Sequence, residues 1–82
     1  MHDTFLNQNL YDAIVNVCKE NSISKVNSLT ITVHIHSHIS ENSLREFFMD
    51  NNSSLFDDKT NIIVQKKEIE PLTATIDQID GE

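Results

Sequence analysis

The chain has 82 residues, and this length predicts one small domain, residues 1–82, with little room for a deep internal pocket. Its formal net charge of −7 and its six lysine and arginine residues argue against nucleic acid as a partner, because phosphate backbones are held by clustered basic side chains. The hydrophobic content of 38% suffices for a folded domain and excludes wholesale disorder.

The first two predicted elements are a helix over residues 4–21 and a strand over residues 29–36. Apolar residues recur at helical spacing in the first segment and define one buried face, made of Leu6, Leu10, Ala13, Ile14 and Val17. The second segment alternates apolar odd positions with Thr or His at even positions. We therefore predict that the odd positions face a core and that the even positions face away from it.

The remaining predicted elements are a helix over residues 41–52 and strands over residues 61–69 and 72–79. Ser40 is the predicted N-cap of this second helix. The predicted order is α-β-α-β-β. It indicates an α+β fold, a two-layer sandwich in which two helices cover one face of a three-stranded, mostly antiparallel sheet.

Cys18 is the only cysteine, which excludes an internal disulfide and a cysteine zinc site. A lone thiol suits a reducing compartment. The opening residues lack the basic and apolar regions of a signal peptide, and no long apolar run follows. These features predict a cytoplasmic protein that does not contact membranes.

Three of the four histidines stand in "VHIHSH", residues 33–38. His34, His36 and His38 are two residues apart, so in an extended strand they would share one face at about 6.5–7 Å spacing. Imidazoles at that spacing can converge on a transition metal. The alternative interpretation is that they belong to the solvent side of a half-covered sheet, which also carries Thr30 and Thr32.

The opening residues Met1, His2 and Asp3 form a second candidate metal site. With Met1 retained, its amine, the His2 amide and the His2 ring can close adjoining chelate rings around one ion, and the Asp3 amide or carboxylate can complete the plane. Such square-planar nitrogen donors suit Ni(II) or Cu(II). The alternative interpretation is a frayed terminus before a capped helix.

Four short matches, in this order along the chain, extend that observation. They are the opening "MHD", the segment "AIVNVCKENSISKVNSL", the segment "SLREFF" over residues 43–48, and "IDQID" over residues 76–80. Together they resemble the HypA/HybF family, accessory proteins that insert nickel during [NiFe]-hydrogenase maturation. That family opens Met-His-Glu, continues with an Ile-Val-x-x-Val helix and an Ala-Leu-Arg-x-x-Phe helix, and ends in a Val-x-x-Ile-Glu strand.

This chain departs from the family pattern in the first helix, where Val17 stands one place nearer to Ile14 and Val15 than usual, and in three further respects. The family carries a zinc module with two Cys-x-x-Cys pairs before its last strand, and that module is absent here between residues 66 and 74. Asp3 replaces the glutamate of the opening triplet, and His34 occupies the place of a glycine near the end of the first strand. The clustered histidines are therefore a feature of this chain and not a site inherited from the family.

The resemblance implies a nickel-binding metallochaperone whose ligands are Met1, His2 and Asp3, with no zinc. It also implies a HypB-type GTPase and the hydrogenase precursor, or another nickel-enzyme precursor, as partners, with the first helix as docking surface. We predict a monomer or weak homodimer, and no enzyme, because the sequence holds no catalytic constellation. The alternative is a metal-free interaction or regulatory module, and a third is a metal sensor or buffer built on the histidine strand.

Overall fold

The computed structural model describes residues 4–82, with side chains from residue 6 onward. Helix α1 spans Thr4–Glu20, strand β1 Val26–His34, helix α2 Glu41–Asn51, strand β2 Asn61–Lys67 and strand β3 Ala74–Gly81. The predicted class and the order α-β-α-β-β are confirmed. Both helix predictions run one residue too far at the C-terminal end, and the strand predictions shift by up to three residues.

Strand β1 lies at the centre of the sheet, whose order is β2-β1-β3. It pairs parallel with β2, where Leu29 lies opposite Ile62, and antiparallel with β3, where Leu29 lies opposite Ile79. The predicted sheet was mostly antiparallel, whereas the observed sheet has one pair of each kind. The reason is that α2 carries the chain back across the sheet between β1 and β2, which makes those two strands run in the same direction.

Both helices pack on one face of the sheet, α1 beside β3 and α2 beside β2. The apolar side chains of this face and of the helices form one core. Its buried members are Leu10, Ile14, Cys18, Val26, Leu29, Ile31, Val33, Ile39, Leu44, Phe48, Leu55, Phe56 and Ile62. The spacing of Leu10, Ile14 and Cys18 by four residues places these three side chains on the same side of α1.

Local hydrogen bonds cap the N-terminal end of α2 and the C-terminal end of α1. At the start of α2 the Ser40 side chain accepts from the Ser43 amide at 3.1 Å, which confirms the predicted cap. At the end of α1 the Ile23 amide donates to the Cys18 carbonyl at 2.8 Å and the Ser22 amide to the Lys19 carbonyl at 3.4 Å. This pair of bonds is a Schellman motif, and it holds Ser22 at a φ of 57°.

The loop between α2 and β2 is fastened to the rest of the fold by one arginine. Arg45 donates from Nη1 to the Thr60 carbonyl at 2.6 Å and lies 3.4 Å from the Asp57 carbonyl. Thr60 is buried, and its hydroxyl donates to the Val26 carbonyl at 3.0 Å. The loop therefore sits at a fixed position beside the start of β1.

Candidate functional site

The predicted nickel ligands Met1, His2 and Asp3 lie outside the described residues. The described residues start with helix α1, Thr4–Glu20. Asn7 stands one helical turn further on, and its side-chain oxygen is enclosed. Among the bonds of residues 4–82, that oxygen has no hydrogen-bond partner.

The three clustered histidines do not share one strand face. β1 ends at His34, and the chain then turns, with the Ser37 amide donating to the His34 carbonyl at 2.9 Å. His36 lies in this turn, so the strand predicted over residues 29–36 ends two residues early. Ile35, predicted to face the core, is 44% exposed for the same reason.

A hydrogen bond sets the His34 ring in a form unsuited to metal ligation through its other nitrogen. The His36 backbone amide donates to His34 Nδ1 at 3.1 Å, and the two rings lie 5.4 Å apart. An Nδ1 that accepts is unprotonated, so in the neutral ring Nε2 carries the hydrogen. Metal-bound imidazoles usually show the opposite arrangement, in which the second nitrogen donates to an acceptor.

His38 is exposed beyond the turn. Across residues 4–82, no three His, Cys, Asp or Glu side chains come together in a way that could hold a metal ion. This geometry describes the histidine segment alone. It leaves the prediction for the opening triplet untouched.

The connection between β2 and β3 occupies the place where the family resemblance locates the zinc module. It runs over residues 68–73, and most of its residues are exposed. Leu72 is 85% exposed and has a φ of 63°, a left-handed conformation that non-glycine residues rarely adopt. An apolar side chain therefore projects from the exposed turn between the two edge strands.

The sheet face opposite the helices carries a polar network that the sequence analysis missed. Thr32 was predicted to face solvent, yet it is only 4% exposed. Its hydroxyl lies 2.5 Å from the Asp77 carboxylate and 3.2 Å from the Gln65 side-chain oxygen, and the Thr75 hydroxyl donates to the same carboxylate at 3.0 Å. These polar contacts link all three strands across a face that no helix covers.

Asp77 owes its position to a bulge. Thr30 lies opposite Gln78 and Ile31 lies opposite Ile76, so Asp77 is the extra residue of β3. Hydrogen bonds from Thr32 and Thr75, helped by the charge of Lys67, hold the pKa of the Asp77 carboxyl below its usual range. Asp77 is therefore ionised at neutral pH. No local sequence pattern marks a bulge at this position, which is why the network was not predicted.

Cys18 is a small residue of the core. It is 3% exposed, and burial raises the pKa of its thiol. A thiol in this setting is a poor nucleophile and a poor metal ligand. The candidate chemistry of the described residues therefore rests on polar side chains and backbone groups.

Helix α1, the predicted docking surface, presents a polar outer side. Its exposed residues are Gln8, Asn9, Asp12, Asn16, Lys19 and Glu20. Gln8 donates to Asp12 at 3.0 Å within this surface. These residues include both acidic and basic side chains, so the outer side of α1 does not by itself favour a partner of one charge.

None of the helices in residues 4–82 has the length and apolar character needed to cross a membrane. Comparison of the chain with protein-family models, with curated protein sequences and with solved structures found no match.

Proposed function

We propose that this chain is a nickel-binding accessory protein that delivers Ni(II) to a nickel-enzyme precursor. The observation that carries the proposal is the order of the helices and strands along the chain, which agrees with the order that the family resemblance implies. Elements α1, β1, α2, β2 and β3 follow one another as the family resemblance requires.

The donors of the opening triplet suit a cargo that is held and then released. Imidazole and deprotonated backbone amides are strong-field nitrogen ligands, and four such donors in a plane favour Ni(II) over Zn(II). Where Met1 carries a free amine, that amine supplies one of the four. Ligands drawn from consecutive residues can leave one at a time, which is the behaviour that transfer to a second protein requires.

The Asn7 side chain, four residues after the triplet in sequence, adds a supporting observation. Metal-bound histidines usually donate their second ring hydrogen to a carbonyl or carboxylate oxygen. The enclosed Asn7 oxygen is an acceptor close to His2 in sequence. We assign it the role of orienting the His2 ring when nickel is bound.

The proposed client and GTPase partners come from the family resemblance. A HypB-type GTPase and a hydrogenase precursor are the partners it implies, and α1 is the surface that adjoins the metal site. The short β2–β3 connection holds no zinc module, so any partner contact that the family makes through that module has no counterpart there.

The proposal is tested by titrating Ni(II) into untagged protein that starts at Met1, and by following the absorbance bands of square-planar nickel. We expect one ion per chain, with binding lost in His2→Ala. Two controls sharpen the result. A variant that changes His34, His36 and His38 to Ala retains binding, and a chain extended by two residues before Met1 weakens it, because the amine is displaced.

Binding that survives in His2→Ala and disappears in the triple variant would overturn the proposal in favour of a histidine-segment buffer. Absence of the square-planar bands in native protein would favour the metal-free interaction module. The Asn7 role has its own readout. Asn7→Leu is expected to weaken nickel binding by about 10–100-fold while leaving the band positions unchanged.

A further inference from the structure

Strand β3 lies at one edge of the sheet, and a groove runs between it and α1. The groove has a volume of about 360 Å³. Its apolar lining comes from Val17, Ile23, Ile76 and Ile79, and its polar lining from Asn21, Asp77 and Gln78. We propose that this α1–β3 groove binds an extended segment of a partner protein that pairs with the edge of β3 and alternates apolar with basic side chains.

The edge of β3 has backbone groups available for pairing. Its inner side pairs with β1, and within residues 4–82 no strand lies on its outer side. An unpaired edge presents a row of amide and carbonyl groups, which is the template used in strand addition. The other edge of the sheet is treated differently, because the Val64 amide of β2 donates to the Glu41 carboxylate of α2 at 3.4 Å. That contact places a charged side chain across the β2 edge.

The apolar lining explains why the added segment would carry apolar residues at alternate positions. Residues two apart on a strand point to the same side. A segment beside β3 would direct every second side chain toward α1, where the four lining residues are only partly buried. Those side chains would complete the coverage of Val17, Ile76 and Ile79, which the core of this chain leaves unfinished.

The charge of the opposite side explains why the remaining positions would be basic. On that side β3 presents Asp77, which is held ionised, and Asp80, which accepts from Gln78 at 3.1 Å. The chain as a whole has a net charge of −7, so a second copy would be repelled. The charge therefore favours a cationic partner over self-association through this edge.

The bulge at Asp77 sets the length of the segment. An extra residue bends the strand and interrupts regular pairing. We therefore infer a short segment seated beside Ile76–Ile79 instead of a strand that follows β3 from end to end. This inference is independent of the nickel site, since none of its residues belongs to the opening triplet.

The experiment uses the whole chain and a capped hexapeptide of alternating lysine and valine, followed by amide chemical shifts in NMR. We expect shifts confined to β3 and to the C-terminal half of α1. Three control peptides separate the contributions. A peptide of the same composition, with its lysines and valines in separate blocks, should bind at least about tenfold more weakly. A peptide with glutamate in place of lysine should lose affinity to the same extent. N-methylation of alternate amides should abolish binding.

Two variants of the chain test the apolar lining and the charge separately, so that the charge variant remains informative if the apolar substitution disturbs folding. Ile76→Ser should remove the apolar seat, and Asp80→Asn should weaken binding of the lysine peptide without affecting the fold. Glu46→Gln, an exposed acidic residue on α2, is the matched charge control and should bind normally. Shifts spread over the open sheet face, or equal binding of the N-methylated peptide, would overturn the inference.

Discussion

The hydroxyl of Thr32, on the central strand, meets the carboxylate of Asp77, the bulge residue of β3, on the open face of the sheet. The bond ties an edge strand to the centre at one of the two points where the β1–β3 ladder is irregular, between Thr30 and Ile31. It also lowers the pKa of Asp77, which couples the β3 edge to pH.

The pH dependence of stability should report this bond. Asp77 has a folded-state pKa below its unfolded value, so its stabilising contribution is present above the unfolded pKa and is lost as pH falls through the folded one. We expect urea midpoints of the native chain and of Asp77→Asn to differ at pH 7 and to converge at strongly acidic pH. Thr32→Val should reduce the difference. Parallel curves at every pH would contradict this account.

Ser22→Gly should stabilise the chain by about 0.5–1 kcal/mol, because the Schellman motif holds this residue in a left-handed conformation that costs less for glycine. The measurement is the free energy of unfolding in urea. Asn21→Gly is the matched control, since Asn21 has no positive φ, and it should give no gain. Leu72→Gly should stabilise like Ser22→Gly, as Leu72 has a φ of 63°.

Gly81→Ala should destabilise the chain by about 1–3 kcal/mol. A methyl group there would lie 2.2 Å from the Lys25 carbonyl oxygen and 2.5 Å from Ile23 Cγ2, so the backbone at the end of β3 must shift. Asp80→Ala, one residue earlier on the same strand, serves as control, because Asp80 is exposed. Thermal unfolding of the two variants distinguishes local crowding from a general sensitivity of β3.

Arg45→Met should loosen the loop before β2 and cost about 1–2 kcal/mol, since the Thr60 carbonyl loses a charge-assisted hydrogen bond. Hydrogen exchange should accelerate at residues 57–60, while the amides of β1 stay protected. Lys59→Met removes an exposed charge from the same loop and should change neither quantity. Equal effects of the two variants would assign the loss to charge instead of to the bond.

The Cys18 thiol should react with a disulfide reagent only when the chain opens. It is 3% exposed and its pKa is raised by burial, so the native thiol supplies little thiolate at pH 8. The labelling rate should therefore follow the unfolding equilibrium and rise with urea in step with its midpoint. Fast labelling in the absence of urea would indicate local opening at the end of α1.

The sequence predicted the helices well because their information is local. The spacing of Leu10 and Ile14 defined α1, and Ser40 marked the start of α2 as a cap. β1 was harder, since Asn27 and Ser28 interrupt its apolar alternation beside an irregularity in the ladder. The turn after His34 was also missed, because no glycine or proline marks it.

The candidate sites divide in the same way. Residue types and order suggested the opening triplet, and it stays a prediction. The Asp77 network and the α1–β3 groove depend on which strands are neighbours and on a one-residue bulge. Alternation gives a strand its faces, but not its direction or its neighbours, so neither feature could be read from the chain.

The central strand has a consequence for synthesis. β1 pairs with β3 from Val26 to Val33, and its Val26 partner is Gly81. During translation the central strand is therefore made before both of its partners, and its pairing with β3, which includes Val33 opposite Ala74, is complete only when Gly81 has left the ribosome. Until then β1 presents unpaired backbone groups beside apolar side chains. Exposed strand edges and apolar surface of this kind are what chaperones protect in a nascent chain.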